Sequence, residues 1–171
     1  MYSTARIAGL LPHSLVNGPG VRFVVFFQGC NHNCQGCHNP ETHDKSGGKE
    51  VTVAELIATV IKTRHLDGIT LSGGDPLLQS NAARELAKAA HELGLNVWCY
   101  TGYTYEEIEQ GKAGIKAQEL LSEIDVLVDG RFVQSEKPDD PAECIWRGSR
   151  NQRLIDVPAT LQEKQTILFH Y

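Results

Sequence analysis

Along the chain, apolar residues fall into short unbroken runs separated by longer stretches in which they recur every three or four positions. The run from Val21 to Phe27, β-branched and aromatic with Arg22 near its start, predicts a buried strand ending at Gly29. Thr52 and Glu55 are spaced as a capping box. The helix they open, roughly Val53 to Arg64, is apolar at 53, 56, 57, 60 and 61. Gly68 then leads into a short strand, Ile69 to Leu71, which runs into "SGGDP". A second helix is predicted from about Asn81 to Leu93, with Gly94 placed to stop it. Leu95 to Tyr100 is the next strand and ends in "TGYT". Thr104 and Glu107 form another capping box, for a short helix, and a strand from Ile124 to Val128 runs into "DGRF". From about Arg131 the pattern loosens. It holds "WRGSRNQR" and then two predicted strands, near Leu154 to Val157 and Thr166 to Phe169.

Strand, loop and helix thus alternate about four times, which implies an α/β fold of parallel strands with crossover helices. Periodicity leaves open whether the sheet stays flat or curls into part of a barrel. It does place function. The unusual loops all follow strands, so in a parallel sheet they gather along the carboxyl edge, where α/β proteins bind ligands.

Composition narrows the class. At 171 residues, with no repeats or long linkers, a single domain spanning 1–171 is expected. A formal net charge of −5 argues against a nucleic-acid binder working through a basic surface. The stretch "ARIAGLL" is too short and wrongly flanked for a secretory leader, and "FVVFF" is far too short to span a bilayer, so no membrane association is expected. Five cysteines is an odd number, and three are crowded together. That suits metal binding in a reducing cytoplasm better than a disulfide framework.

The crowded three lie in "CNHNCQGC", residues 30 to 37, spaced C-x3-C-x2-C with no fourth cysteine nearby. Three readings compete. Cys30, Cys34 and Cys37 can be small buried residues, although Asn, His and Gln neighbours suit a core poorly. They can bind structural zinc, which needs four ligands, with His32, His38 or His43 as the fourth. They can hold a four-iron iron–sulfur (4Fe-4S) cube that leaves one iron without a protein ligand and open to a small molecule. Cys99 alternates with Val97 along a strand and reads as packing; Cys144 is isolated and is not assigned to the cluster.

This spacing resembles the signature of the radical S-adenosylmethionine (radical SAM) enzymes. The resemblance implies that the open iron chelates the amino and carboxylate groups of S-adenosylmethionine. One electron from the reduced cluster then cleaves it to methionine and a 5′-deoxyadenosyl radical. By itself, "SGGDP" is an ordinary strand-to-helix turn. Beside the cysteines it resembles the family's GGE motif, which receives the methionine ammonium. The resemblance assigns that contact to Gly73, Gly74 and Asp75. Asp75 stands where many members carry Glu and has a shorter reach, so the weight falls on the two glycine backbones. Many members place an aromatic residue where Gly36 stands, and here the adenine is expected against backbone from Gly36 through Cys37 to His38. "TGYT" is either a turn with an N-cap or a binding loop.

Further along, "NGPGVRFVVFFQGCNHNCQGCHNP" resembles the activating enzymes of glycyl radical enzymes, with Asn17 where many carry Asp. "DVLVDGRF" and "WRGSRNQR" resemble the branch acting on the anaerobic (class III) ribonucleoside-triphosphate reductase. Other activases are usually longer, often with extra ferredoxin-like cluster cysteines. The resemblance covers about residues 5 to 157. It implies an incomplete (β/α) TIM-type barrel of the radical SAM kind, since a full barrel typically takes ~250 residues. Its lateral opening would suit a protein substrate. The implied partners are the large subunit of that reductase, which would lose a hydrogen atom from one glycine Cα, and a low-potential electron donor. No side-chain general base is required, so no catalytic residue is expected beyond cluster and cofactor. For "WRGSRNQR", packing and surface charge stand beside partner docking or ligand contact. The rivals are an activase of the formate-lyase type, a radical enzyme acting on a small molecule, and a zinc-binding interaction module.

Overall fold

In the computed structural model, residues 3–171 are described. The chain runs β1 (Thr4–Ser14), β2 (Arg22–Phe27), the cysteine loop, β3 (Lys49–Thr52), α1 (Val53–Lys62), β4 (Gly68–Gly73), α2 (Ser80–Glu92), β5 (Asn96–Tyr100), α3 (Tyr105–Glu109), α4 (Ile115–Leu121), β6 (Val126–Asp129), β7 (Arg153–Asp156) and α5 (Val157–Glu163). Both expected capping boxes form. The Glu55 amide donates to the Thr52 hydroxyl at 3.2 Å and the Thr52 amide to the Glu55 carboxylate at 2.7 Å; Thr104 and Glu107 repeat the exchange.

One mixed sheet of seven strands results, in the order β3-β1-β2-β4-β5-β6-β7. The four strands expected from buried runs, β2, β4, β5 and β6, are parallel. The expectation of parallel strands throughout is corrected at both edges, because β1 pairs antiparallel with β2 and β3, and β7 antiparallel with β6. Only two short 3-10 turns, Gln134–Glu136 and Pro141–Cys144, and no α-helix lie between β6 and β7, so the chain lacks the crossover that would return it parallel. The sheet does not close into a barrel. With β3 and β7 at opposite ends of the order, the sheet is open. Leu154 to Val157 becomes β7 plus the start of α5, where the Asp156 carboxylate accepts from the Ala159 amide at 2.9 Å. Thr166 to Phe169 forms no strand, only a bridge between Ile155 and Leu168.

Strand alternation divides the sheet into two faces. Phe23, Val25, Phe27, Ile69, Leu71, Val97, Cys99 and Leu127 point to one side and pack under Leu56, Val60, Leu86, Ile108 and Leu120 of the helices. On the other side Trp98, Val126, Val128 and Leu154 meet irregular chain, with Trp146 and Phe169 edge-on to Trp98 at 5.1 and 5.4 Å. Beneath them Arg22 is fully buried. Its guanidinium donates to the Ile69 carbonyl (2.6 Å), the Asn96 side chain (2.5 Å) and the Thr70 hydroxyl (3.1 Å), and lies over the Trp98 ring. Burial lowers its pKa to about 10. Because those donors serve β4 and β5, the buried charge clamps the amino ends of three parallel strands.

At the opposite edge Arg153 of β7 forks between Asp129 of β6 and Glu106 of α3, reaching the Glu106 oxygens at 3.0 and 2.8 Å. Those hydrogen bonds hold the Glu106 carboxyl down at about 2, from an ordinary value of 4.5. A depressed folded-state pKa means the contribution is present above the unfolded value and lost as pH falls toward about 2. Glu106 is half exposed, so solvent screening limits the effect to about 0.5–1 kcal/mol. Glu106→Gln should therefore lower the urea midpoint near pH 6 but match the parent near pH 2. Parallel pH profiles of parent and variant would refute this linkage.

Candidate functional site

The site begins where β2 ends. Gln28 is buried and its amide donates to the carbonyls of Glu41 (3.0 Å) and Asp44 (2.6 Å). The Gly29 and Cys30 amides donate to Thr42 and His43 carbonyls at 2.7 and 3.3 Å. The cysteine loop is thus closed at its base by residues 41–44. Within it the Cys37 amide donates to the Cys34 carbonyl at 3.2 Å, a turn that brings the second and third cysteines together. Cys30, Cys34 and Cys37 are free, half-buried, and face one cavity of about 390 Å³. The His32 amide points at the Cys30 sulfur (3.5 Å) and the Asn39 amide at the Cys37 sulfur (3.4 Å). Burial pushes the Cys30 thiol up.

The cavity floor is the glycine turn. β4 keeps register with β2 through Phe27 and Gly73. The Gly74 amide then donates to the Phe27 carbonyl and the Asp75 amide to the Gly29 carbonyl, each at 2.8 Å. Gly73 has φ +101°, and a Cβ on it would strike the Phe27 backbone; a Cβ on Gly74 would strike the Gly29 carbonyl. Neither position admits a side chain, so bare backbone lies beside the thiols.

Of the residues singled out in the sequence, Cys30, Cys34, Cys37, His38, Gly73 and Gly74 all line this cavity. Gly36 and Asp75 are not among its lining residues. Gly36 is exposed, with φ +73°, and faces Gln134 where its side chain would be. Asp75 is fully buried behind the floor and accepts from His32, Leu77, Thr101 and Gly102. His38 leans on Phe132 with ring centroids 4.9 Å apart. The "TGYT" loop contributes Thr101 and Gly102 to the lining.

Sequence reasoning flagged the neighbouring loops but did not assign Asn17, Tyr100, Phe132, Gly148 and Gln152 to the site, although all five line the cavity. Their signal was position alone, just before the GPG turn, at the β5 end, and inside "DGRF" and "WRGSRNQR". That last segment is held by its own hydrogen bonds. Gln152 accepts from the Gly148 amide at 2.7 Å and donates to the Gly130 carbonyl at 2.9 Å. The Tyr100 hydroxyl donates to the Trp146 carbonyl at 2.8 Å, and burial raises its pKa. A second cavity of about 630 Å³ adjoins the first, sharing Asn17, His38, Tyr100 and Gly148, and opens past Leu15, Val16 and Pro138.

The donor set suits an iron–sulfur cube. Three unpaired thiols converge on one cavity, and backbone amides aim at two of the sulfurs, the kind of hydrogen bond that tunes such clusters. Of the three histidines considered as a fourth ligand, His32 is engaged with Asp75, His38 leans its ring on Phe132, and His43 lines the cavity with its Nε2 buried and unpartnered.

Comparison with known proteins agrees with that chemistry. Residues 16–155 match a family model described as a 4Fe-4S single cluster domain, so the chain carries a domain of that class. The relatives are narrower. The chain is 42% identical over 149 residues to the anaerobic ribonucleoside-triphosphate reductase-activating protein of Salmonella typhi, covering 82% of this chain and 92% of that one. It is 39% identical over 150 residues to that of Escherichia coli strain K12 (82% and 92%), and 34% over 152 residues to that of Enterobacteria phage T4 (85% and 90%). The chain belongs to the family of anaerobic ribonucleoside-triphosphate reductase-activating proteins. Among solved structures, QueE from Escherichia coli superposes with a TM-score of 0.48 at 14% identity, over 59% of this chain and 54% of that one, a likeness too distant to bear on function.

Gly74→Ala should cost about 1–3 kcal/mol in chemical denaturation, because its methyl meets backbone that cannot move aside. Gly9→Ala in β1, where a Cβ meets nothing within 4 Å, should stay within about 0.5 kcal/mol of the parent. Equal effects at the two positions would mean that β2 and β4 do not approach so closely.

Proposed function

We propose that this chain activates the anaerobic ribonucleoside-triphosphate reductase by placing a glycyl radical on its large subunit. The observation that carries the reading is the meeting of three free thiols with the bare Gly73–Gly74 backbone on one cavity. Cys30, Cys34 and Cys37 would hold the cube, with one iron left open. Bound there, the cluster with S-adenosylmethionine supplies reductive cleavage of the sulfonium and removal of a hydrogen atom from a glycine Cα, leaving methionine and 5′-deoxyadenosine. The remaining tasks belong to the chain itself. The backbone at Gly73 and Gly74 receives the methionine end. His38 and the loop through Gly36 and Cys37 lie on the adenine side, with Phe132 packed against His38. The wall from Gly130 to Gln152 shields the cavity from water.

The adjoining cavity is the entry proposed for the glycine-bearing segment of the reductase. Its rim residues Leu15 and Val16 are 72% and 74% exposed, which favours contact with another protein's apolar surface. A net charge of −5 speaks against nucleic acid as partner. No described helix is long and apolar enough to cross a membrane. The cytoplasm, where thiols stay reduced, is the proposed location. A low-potential electron donor completes the set of partners. The zinc module is disfavoured by the match to a 4Fe-4S domain, and the formate-lyase type of activase by the relatives.

Anaerobically reconstituted protein should be brown and carry about four irons per chain. With reductant and S-adenosylmethionine it should form 5′-deoxyadenosine, and with the reductase it should give a glycyl radical signal in electron paramagnetic resonance. Cys30→Ala, Cys34→Ala or Cys37→Ala should each abolish both. One zinc and no iron in the parent would reject the reading. Full activity of Cys34→Ala would reject that residue's assignment.

A further inference from the structure

The carboxylate of Asp75 is the most fully engaged polar group near the site. Its side chain is completely buried, and that of His32 is 5% exposed. One oxygen accepts from the Leu77 amide at 2.9 Å and the Thr101 hydroxyl at 3.1 Å. The other accepts from the His32 ring at 2.6 Å, the Gly102 amide at 3.1 Å and the same Thr101 hydroxyl at 2.9 Å. A carboxylate offers about four lone-pair sites, and four donors already fill them. None is left for a ligand's ammonium. The donors come from three places: His32 from the loop after β2, Leu77 from the turn after β4, and Thr101 with Gly102 from the loop after β5. The fit around His32 is equally tight. Its ring stands edge-on to Tyr103 at 4.6 Å, and a Cβ on Gly102 would collide with it. His32 lies between Cys30 and Cys34 and gives its backbone amide to the Cys30 sulfur. Whatever fixes the His32 ring therefore also fixes that sulfur's hydrogen-bond donor.

From this geometry we infer that Asp75 is a clasp rather than a ligand-facing group, and that His32 is a positioning residue through which Asp75 sets the cysteine loop against the glycine turn. This rests on the iron–sulfur reading of the cavity. It departs from the expectation that an acidic residue after two glycines contacts the cosubstrate. The ammonium falls to the Gly73 and Gly74 backbone alone, while the acidic side chain works behind the floor. Groups that orient metal ligands from behind commonly change metal affinity by about 10–100-fold when removed. The same order is expected here.

The test compares His32→Phe, which keeps a ring without a donor, His32→Gln, whose amide nitrogen can reach Asp75, Asp75→Asn, and the double variant His32→Phe with Asp75→Asn. Each is measured as reconstituted holoprotein for iron loss to a chelator, cluster midpoint potential, and KM for S-adenosylmethionine apart from kcat. His32→Phe should speed iron loss about tenfold and shift the potential, and His32→Gln should restore both. Asp75→Asn should resemble His32→Phe, and the double variant should be no worse than either alone, because one interaction is removed in all three. A raised KM in Asp75→Asn at unchanged potential, with His32→Phe near the parent and the two effects multiplying, would make Asp75 a ligand contact and overturn the clasp. Failure of the iron–sulfur reading would show separately, as a parent chain that takes up no cluster. Amide hydrogen exchange over residues 30–38 of the apo chains then decides. Faster exchange in His32→Phe than in the parent and in His32→Gln supports the clasp, and equal exchange overturns it.

Discussion

The site depends on how closely β2 and β4 approach at their carboxyl ends. Six residue pairs run in unbroken parallel register from Arg22 and Gly68 to Phe27 and Gly73. Two further backbone hydrogen bonds, from Gly74 and Asp75, continue the contact past the last pair. The cysteine loop leaves β2 where this contact ends, so Cys30 is placed by the ladder itself. A side chain at either glycine would push the loop and the turn apart. The buried Arg22 clamp at the other end of the same strands opposes any sliding of β2 along β4. Stability and the geometry of the cysteine loop thus share one pair of strands.

Much of this was legible in the sequence, for physical reasons. β2, β4, β5 and β6 are buried on both faces, and such strands show as continuous apolar runs. The two capping boxes were legible because Thr and Glu three apart satisfy each other's amides locally. The edge strands β1 and β3 were not, and of β7 the place was legible but not the direction. β1 is exposed along much of its length and bulged at two places, so no period-two pattern survives in it. β3 is four residues long and carries Lys49 and Glu50 outward. The direction of β7 follows from the missing crossover helix, which the loose pattern after Arg131 did not reveal. α4 was also missed, for it is short and opens at Gly114 with no side-chain cap.

The site itself was legible to unequal depth. Local spacing identified Cys30, Cys34 and Cys37, since residues in one short loop must stay near one another. Gly73 and Gly74 were legible from their place after a strand. The orientation of Asp75 was not, because whether a carboxylate faces a ligand or the interior depends on donors 26 and 43 positions away, at Thr101 and His32. Likewise Gln152 and Phe132 reach the cavity through tertiary folding of a segment without regular structure.

That segment has a further consequence. Residues 130–152 wall the cavity but belong to no sheet ladder, and are held mainly by side-chain bonds such as those of Gln152, Asn151 and Tyr100. Floor and wall are therefore joined through side chains rather than through a shared ladder. A substitution in the wall can thus alter the cavity's rim while the six-pair register of β2 and β4 beneath it stays in place.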